Sequence, residues 1–265
     1  MRFAMNLLGL VFIVFVGSVM GLFSFQDSLI FYPVDANPRV FQHYQQHEIA
    51  VSSHGYQLQG WRFVNERSDN NNVVLYFGGN AEDVTLNFPN VNAFNARQVF
   101  FFNYRGYGNS QGKPSQQALY EDGLSIYDDL LKSHDVEPDR VIVMGRSLGS
   151  AVATYIAAHR SVARVILVTP FDSLENVAKG IFPLLPVSWI IKHPFPSLTY
   201  APDIKVPALF LVAANDEVVP VKLSKNLYEL WAGPKQWALL PGMTHNDIQA
   251  HPNYYSMVAA FVRGK

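Results

Sequence analysis

Cysteine is missing from all 265 residues. Its absence excludes disulfides, thiolate metal ligands and a cysteine nucleophile, and it removes redox evidence about compartment. Net charge is nearly missing too. The formal balance is −1, so no basic excess points to a nucleic-acid partner. No G-x-G-x-x-G follows an expected strand, and no cofactor or metal is expected. Internal repeats are absent, and low-complexity sequence is limited to the small turn Asp69-Asn70-Asn71-Asn72. What the chain has in quantity is apolar residue, 49% of it, enough for one mid-sized core and something more.

The surplus is N-terminal. From Phe3 to Gln26 no residue is charged, and Leu, Val, Ile, Phe, Met and Gly dominate. As a helix this run measures about 35 Å, against about 30 Å for a hydrocarbon core. The amino terminus and Arg2 precede it and Asp27 follows. That bias favours a single-pass membrane protein with its N-terminus inside and its domain on the non-cytoplasmic side, periplasmic in a bacterium. A cleaved signal peptide is the alternative. Val16-Gly17-Ser18 and Val19-Met20-Gly21 offer small residues, but neither is an A-x-A site, and the run is long for a signal. The expected layout is an anchor over 1–26, a connector over 27–45 and a folded domain over 46–265.

Within that domain, short β-rich runs alternate with helical patterns. Glu48–Ser52 and Tyr56–Val64 read as a hairpin around His54-Gly55. Val73–Phe77, Val99–Asn103, Val141–Met144, Val165–Val168, Ala208–Val212 and Trp237–Leu240 read as buried strands. Leu119, Gly123, Ile126, Tyr127, Leu130 and Leu131 share one helix face, starting near Pro114-Ser115. The alternation predicts an α/β fold, with a mostly parallel eight-stranded sheet and helices on both faces. Residues 171–202 break the rhythm with five prolines and the apolar cluster Ile181-Phe182-Pro183-Leu184-Leu185-Pro186. A small cap and an ordinary helix with a long loop both fit this stretch.

Chemistry enters at Gly145-Arg146-Ser147-Leu148-Gly149, directly behind the Val141–Met144 run and ahead of an Ala-rich helical stretch, Leu148–Ala158. G-x-S-x-G alone arises by chance in roughly one chain in ten of this length. Between a strand and a helix it reads as a nucleophile elbow, with Ser147 on the turn. A serine needs a base, and the base needs an orienting group. His159, His193, His245 and His251 follow Ser147. His245 alone stands on a loop just past a strand, so it is the candidate base, although a lone loop histidine is often only solvated. Asp216 follows the Ala208–Val212 strand and is the candidate acid, with adjacent Glu217 and Asp172 as rivals. A helix N-cap is the bland alternative for Asp216. The backbone N–H groups of Leu148 and of Asn80, in Phe77-Gly78-Gly79-Asn80-Ala81, are the candidate oxyanion donors. Tyr104-Arg105-Gly106-Tyr107-Gly108 reads as a structural turn with Arg105 tied to neighbouring oxygens, although it also has the look of an aromatic-basic patch.

These stretches, together with Asn103–Gly112, Asp216–Pro220 and Gly242-Met243-Thr244-His245-Asn246, resemble an α/β-hydrolase. The branch is that of membrane-anchored serine hydrolases, which includes depalmitoylase-like and serine-aminopeptidase-like proteins. The resemblance spans nearly everything after the N-terminal run. One departure is Gly78-Gly79, where many relatives open the oxyanion loop with His-Gly. The resemblance implies hydrolysis of carboxylic esters or thioesters, with small-molecule, acyl or lipid-like substrates and membrane attachment through the N-terminal helix. An amide hydrolase with the same triad and a non-catalytic membrane-tethered binding protein are the alternatives.

Overall fold

The computed structural model describes residues 2–35, 37–134 and 136–264. Met1 and Lys265, the outer ends of the expected anchor and domain, lie outside the described residues. The chain opens with helix α1, Arg2–Ile30, and a short helix α2, Pro38–Tyr44. Eight strands then form one sheet: β1 Glu48–Ser53, β2 Tyr56–Val64, β3 Val73–Phe77, β4 Gln98–Phe102, β5 Val141–Arg146, β6 Arg164–Val168, β7 Ala208–Ala213 and β8 Lys235–Leu240. Between and after them come α3 Gln116–His134, α4 Leu148–His159, α5 Leu174–Ile181, α6 Val187–Ile190, α7 Ser197–Tyr200, α8 Val221–Leu230 and α9 Tyr254–Arg263.

The strand order is β1-β2-β4-β3-β5-β6-β7-β8. β1–β2 and β2–β4 are antiparallel, and every other pair is parallel. The mostly parallel α/β sheet expected from the alternating runs is what the chain builds. The physical reason is visible in β3, where all five residues are buried. Val73, Leu75 and Phe77 face one apolar layer, packed against α3 and α4. Val74 and Tyr76 face the other, with α9 and a 3-10 stretch, Val84–Phe94. A strand covered on both faces needs apolar residues at every position rather than at alternate ones.

Strand order reverses around β3: its chain successor β4 lies on one side and β5 on the other. In open α/β sheets the crevice at such a switch point, past the carboxyl ends of the strands, is where ligands bind. The loop after β3 and the turn after β5 therefore meet side by side.

Residues 171–202 form a cap-like insertion of three short helices, α5, α6 and α7, between β6 and β7. Helix α1 continues past Gln26 to Ile30, and α2 occupies part of the stretch expected as a connector. Phe41 of α2 stacks on the buried Trp61 ring at 5.3 Å, which fixes this segment to the sheet. Met5–Ile30 is long and apolar enough to cross a membrane, and its apolar 18-residue window holds no buried residue among the described ones.

Candidate active site

Ser147 stands between β5 and α4 with φ 48° and ψ −114°. A non-glycine residue with positive φ is strained, and strain of this kind marks a turn imposed by its surroundings. Both flanking glycines are required sterically. A Cβ on Gly145 would lie 2.1 Å from the Gly149 carbonyl oxygen, and one on Gly149 would lie 2.1 Å from that of Phe77. Strand and helix thus approach too closely for any side chain. The Ser147 N–H donates to the Val168 carbonyl at 2.8 Å, which pins the turn to β6.

Three side chains from separate loops converge here. His245 Nε2 lies 2.9 Å from Ser147 Oγ. His245 Nδ1 lies 3.0 and 2.9 Å from the two Asp216 oxygens. The carboxylate is fixed in turn by the Val218 and Val219 N–H groups, at 3.0 and 2.7 Å. With Asp216 accepting at Nδ1, the ring carries its proton there and offers the Nε2 lone pair to the serine. Glu217 takes a different part: it accepts from the His245 backbone N–H at 3.2 Å. Asp172 is fully buried but bonds to Asn176 and Asn226, at 3.1 and 2.8 Å. The other histidines are engaged elsewhere: His159 with the Tyr155 carbonyl, His193 with Asp27, and His251 with the Asn253 N–H.

The Leu148 N–H opens the first turn of α4, where helical N–H groups lack intrahelical partners and the macrodipole favours negative charge. Among the described residues the Asn80 N–H makes no hydrogen bond. The carboxamide of Asn80 is committed: Oδ1 accepts from the Tyr32 N–H at 3.0 Å and the Tyr107 hydroxyl at 2.7 Å, and Nδ2 donates to the Ile30 carbonyl. The Tyr104 hydroxyl holds the Gly78 carbonyl at 2.6 Å. These contacts hold the glycine loop in place.

The pattern of the sequence missed a second set of residues. Glu82 Oε2 accepts from the Gly79 N–H at 2.6 Å and from Arg146 Nη1 at 2.9 Å. Its Oε1 accepts from the Tyr76 hydroxyl at 2.7 Å and Asn87 Nδ2 at 2.8 Å. Arg146 Nη2 reaches the His245 carbonyl and Asn246 Oδ1, both at 3.2 Å. One buried ion pair therefore links the oxyanion-loop candidate, the elbow and the histidine loop. Burial opposes the Arg146 charge, but Glu82 and Tyr76 outweigh it and hold the guanidinium above its ordinary pKa. Burial first, and the Glu82 charge second, push the Tyr76 hydroxyl well above the usual phenol range. The signal was Arg146 itself, since a charged residue inside a buried elbow motif requires a buried counter-charge.

The convergence borders a cavity of about 170 Å³ lined by Gly79, Asn80, Arg146, Ser147, Val218, His245 and Asn246. A hydroxyl, an imidazole and a carboxylate in relay can activate the hydroxyl toward an electrophilic carbon.

Comparison with known proteins adds four findings. The family described as serine aminopeptidase, S33, matches residues 68–202, a span that includes Ser147 but neither Asp216 nor His245. An uncharacterised Mycobacterium tuberculosis protein is 32% identical over 251 residues, covering 92% of this chain and 89% of its own. An uncharacterised membrane protein of Saccharomyces cerevisiae is 31% identical over 215 residues, covering 78% and 75%. Among solved structures, a Pyrococcus furiosus esterase superposes with a TM-score of 0.68 at 19% identity, covering 88% of this chain and 96% of the esterase, and shares its fold.

Proposed function

The chain belongs to the serine aminopeptidase S33 family of α/β hydrolases, and on that premise we propose that it is a serine hydrolase of carboxylic esters or thioesters. The observation that carries the reading is the unbroken relay from Ser147 Oγ through the His245 ring to Asp216. In the proposed cycle His245 Nε2 takes the Ser147 proton as Oγ attacks the substrate carbonyl carbon. The carbonyl π pair moves to oxygen, and the Leu148 and Asn80 N–H groups receive that oxyanion. Its collapse expels the alkoxide or thiolate, which takes the proton from His245, and leaves an acyl ester on Ser147. Water then gives its proton to Nε2 and attacks the acyl carbon, and collapse of that second tetrahedral intermediate expels Oγ, which takes the proton back from Nε2 as the acid leaves.

The family description names aminopeptidases, so an amide substrate is the second reading. Recognition of a free amino terminus calls for a carboxylate close to the reacting carbon. The described cavity lining holds no Asp or Glu, and the nearby carboxylates of Glu82 and Asp216 are committed to Arg146 and His245, which favours a substrate without an ammonium group. Residues 1–26 serve in this reading as an uncleaved membrane anchor, 27–45 as a connector and 46–265 as the hydrolase domain, with 171–202 as a cap. The N-terminus is inside and the domain on the non-cytoplasmic side, periplasmic in a bacterium. The uncharged helix and the membrane description of the yeast relative support the attachment.

Turnover of p-nitrophenyl esters of graded chain length, alongside an aminoacyl p-nitroanilide, tests the substrate class. Ester kcat/KM far above that of the anilide is expected. Equal or faster anilide cleavage would assign the protein to the amide class instead.

A further inference from the structure

We propose that the cap segment Ile181–Ile190 docks into the lipid interface beside the end of α1, so that the cap rests on the bilayer rather than in water. The proposal depends on reading α1 as a membrane anchor and goes beyond it, because it assigns a second, separate membrane-contacting surface.

The first observation is exposure. Leu184 and Trp189 are each 90% exposed, and Ile181 and Phe182 join them on the surface. Four large apolar side chains exposed between residues 181 and 189 exceed the scattered singles normal for a surface. Tryptophan is also the residue enriched where a protein meets the headgroup layer.

The second observation places the patch beside α1. Gln26 is buried in an otherwise lipid-like helix. Its amide donates to the Ile190 carbonyl and accepts from the Lys192 N–H at 2.8 Å. Asp27 meets His193 at 3.0 Å, and Lys192 Nζ lies 4.6 Å from the Phe23 ring centre. The cap is thereby clasped to α1 at the level of residues 23–27. Apolar contacts extend the clasp, with Leu22, Leu29 and Ile30 facing Ile181, Phe182 and Leu185 across a cavity of about 150 Å³.

The third observation is length. Phe3–Leu22 alone, at 1.5 Å per residue, spans about 30 Å, the thickness of a hydrocarbon core. The boundary of that core then falls at the clasp, where Gln26 holds Ile190 and Lys192, and Trp189 is the residue adjacent to Ile190 in the chain. Lys192 flanks the patch with a cation suited to lipid phosphates, whereas Lys179 is paired with Glu175 at 2.7 Å.

The test is tryptophan quenching in full-length protein reconstituted into phosphatidylcholine–phosphatidylglycerol vesicles. The acyl chains carry bromine either near the headgroup or near the terminal methyl. Trp61 and Trp231 are buried in the domain, and the emission of the Trp189→Phe variant measures everything except Trp189. The difference spectrum is expected to be blue-shifted and quenched most strongly by the shallow bromines. Protein that floats with the vesicles while its Trp189 emission stays water-like and unquenched would overturn the docking and leave the anchor standing. Protein that fails to float would overturn both.

Discussion

Neutralising Glu82 should reach both stability and catalysis, and the size of the effect follows from its surroundings. Glu82→Gln keeps the shape but removes the counter-charge of Arg146. The two side chains are 6% and 12% exposed, so the guanidinium would be left almost buried and unpaired. Four donors converge on the carboxylate: the Gly79 N–H, Arg146, the Tyr76 hydroxyl and Asn87. A carboxamide turns one acceptor oxygen into a donor, so one side of this set meets an NH₂ group in either orientation. Breaking a buried pair from one side costs about 3–5 kcal/mol. Arg146 also borders the site cavity, where water can reach it, so the low end applies. For a domain of this size, about 3 kcal/mol corresponds to a fall in Tm of roughly 6–12 °C. Loss of the Gly79 tie loosens the oxyanion loop, and displacement on the 1 Å scale lowers kcat by about a hundredfold. Thermal melts in detergent and ester kinetics read both. The double variant Glu82→Gln/Arg146→Met should melt above Glu82→Gln alone, because the stranded charge is gone. A single variant with wild-type Tm and kcat would refute the account of the network.

Asp216→Asn should lower kcat by about a thousandfold or more in steady-state ester assays by misorienting the imidazole, whereas Glu217→Gln should cost far less, since Glu217 meets only the His245 backbone. A reversed order would move the acid by one residue. Gly149→Ala should yield little folded protein by expression and circular dichroism, because its Cβ would lie 2.1 Å from the Phe77 carbonyl oxygen, a backbone atom that cannot move aside. Stability should fall with rising pH in the alkaline range. Burial pushes the Tyr127 hydroxyl up to about 12, and it raises Tyr76 and Tyr104 as well. The raised folded-state values mean that the contribution is complete below the unfolded value near 10 and is lost as pH climbs through the folded values. Urea midpoints at pH 9 and 11 should therefore differ, and equal midpoints would contradict the assignment.

The sheet was legible because doubly covered strands leave an unmistakable record. Val73–Phe77 and Ala208–Val212 have no polar residue to blur the run, and both appear as strands, the second extended to Ala213. The elbow was legible for a steric reason, since two close backbones demand two glycines at fixed spacing. Asp216 was preferred to Glu217 for its place after the strand, but what separates the two adjacent carboxylates is direction, and the fold sends one to the ring and the other to a backbone N–H. Glu82 was missed because its partner Arg146 is remote in sequence, and nothing local to Glu82 announces burial. The end of α1 was blurred for a similar reason. Asp27 looks like the end of an apolar run, but its carboxylate is matched by His193 of the cap, and the helix continues to Ile30. Long-range polar pairs of this kind carry no periodicity.

The central claim is that Ser147 is a nucleophile activated by His245. The direct measurement is treatment of the purified full-length protein with a fluorophosphonate, followed by mass spectrometry of its peptides. The account predicts one stoichiometric phosphonyl adduct on the peptide carrying Ser147, abolished in Ser147→Ala and sharply slowed in His245→Ala. A protein that stays unlabelled while correctly folded, or one labelled at another serine with Ser147 untouched, would contradict it.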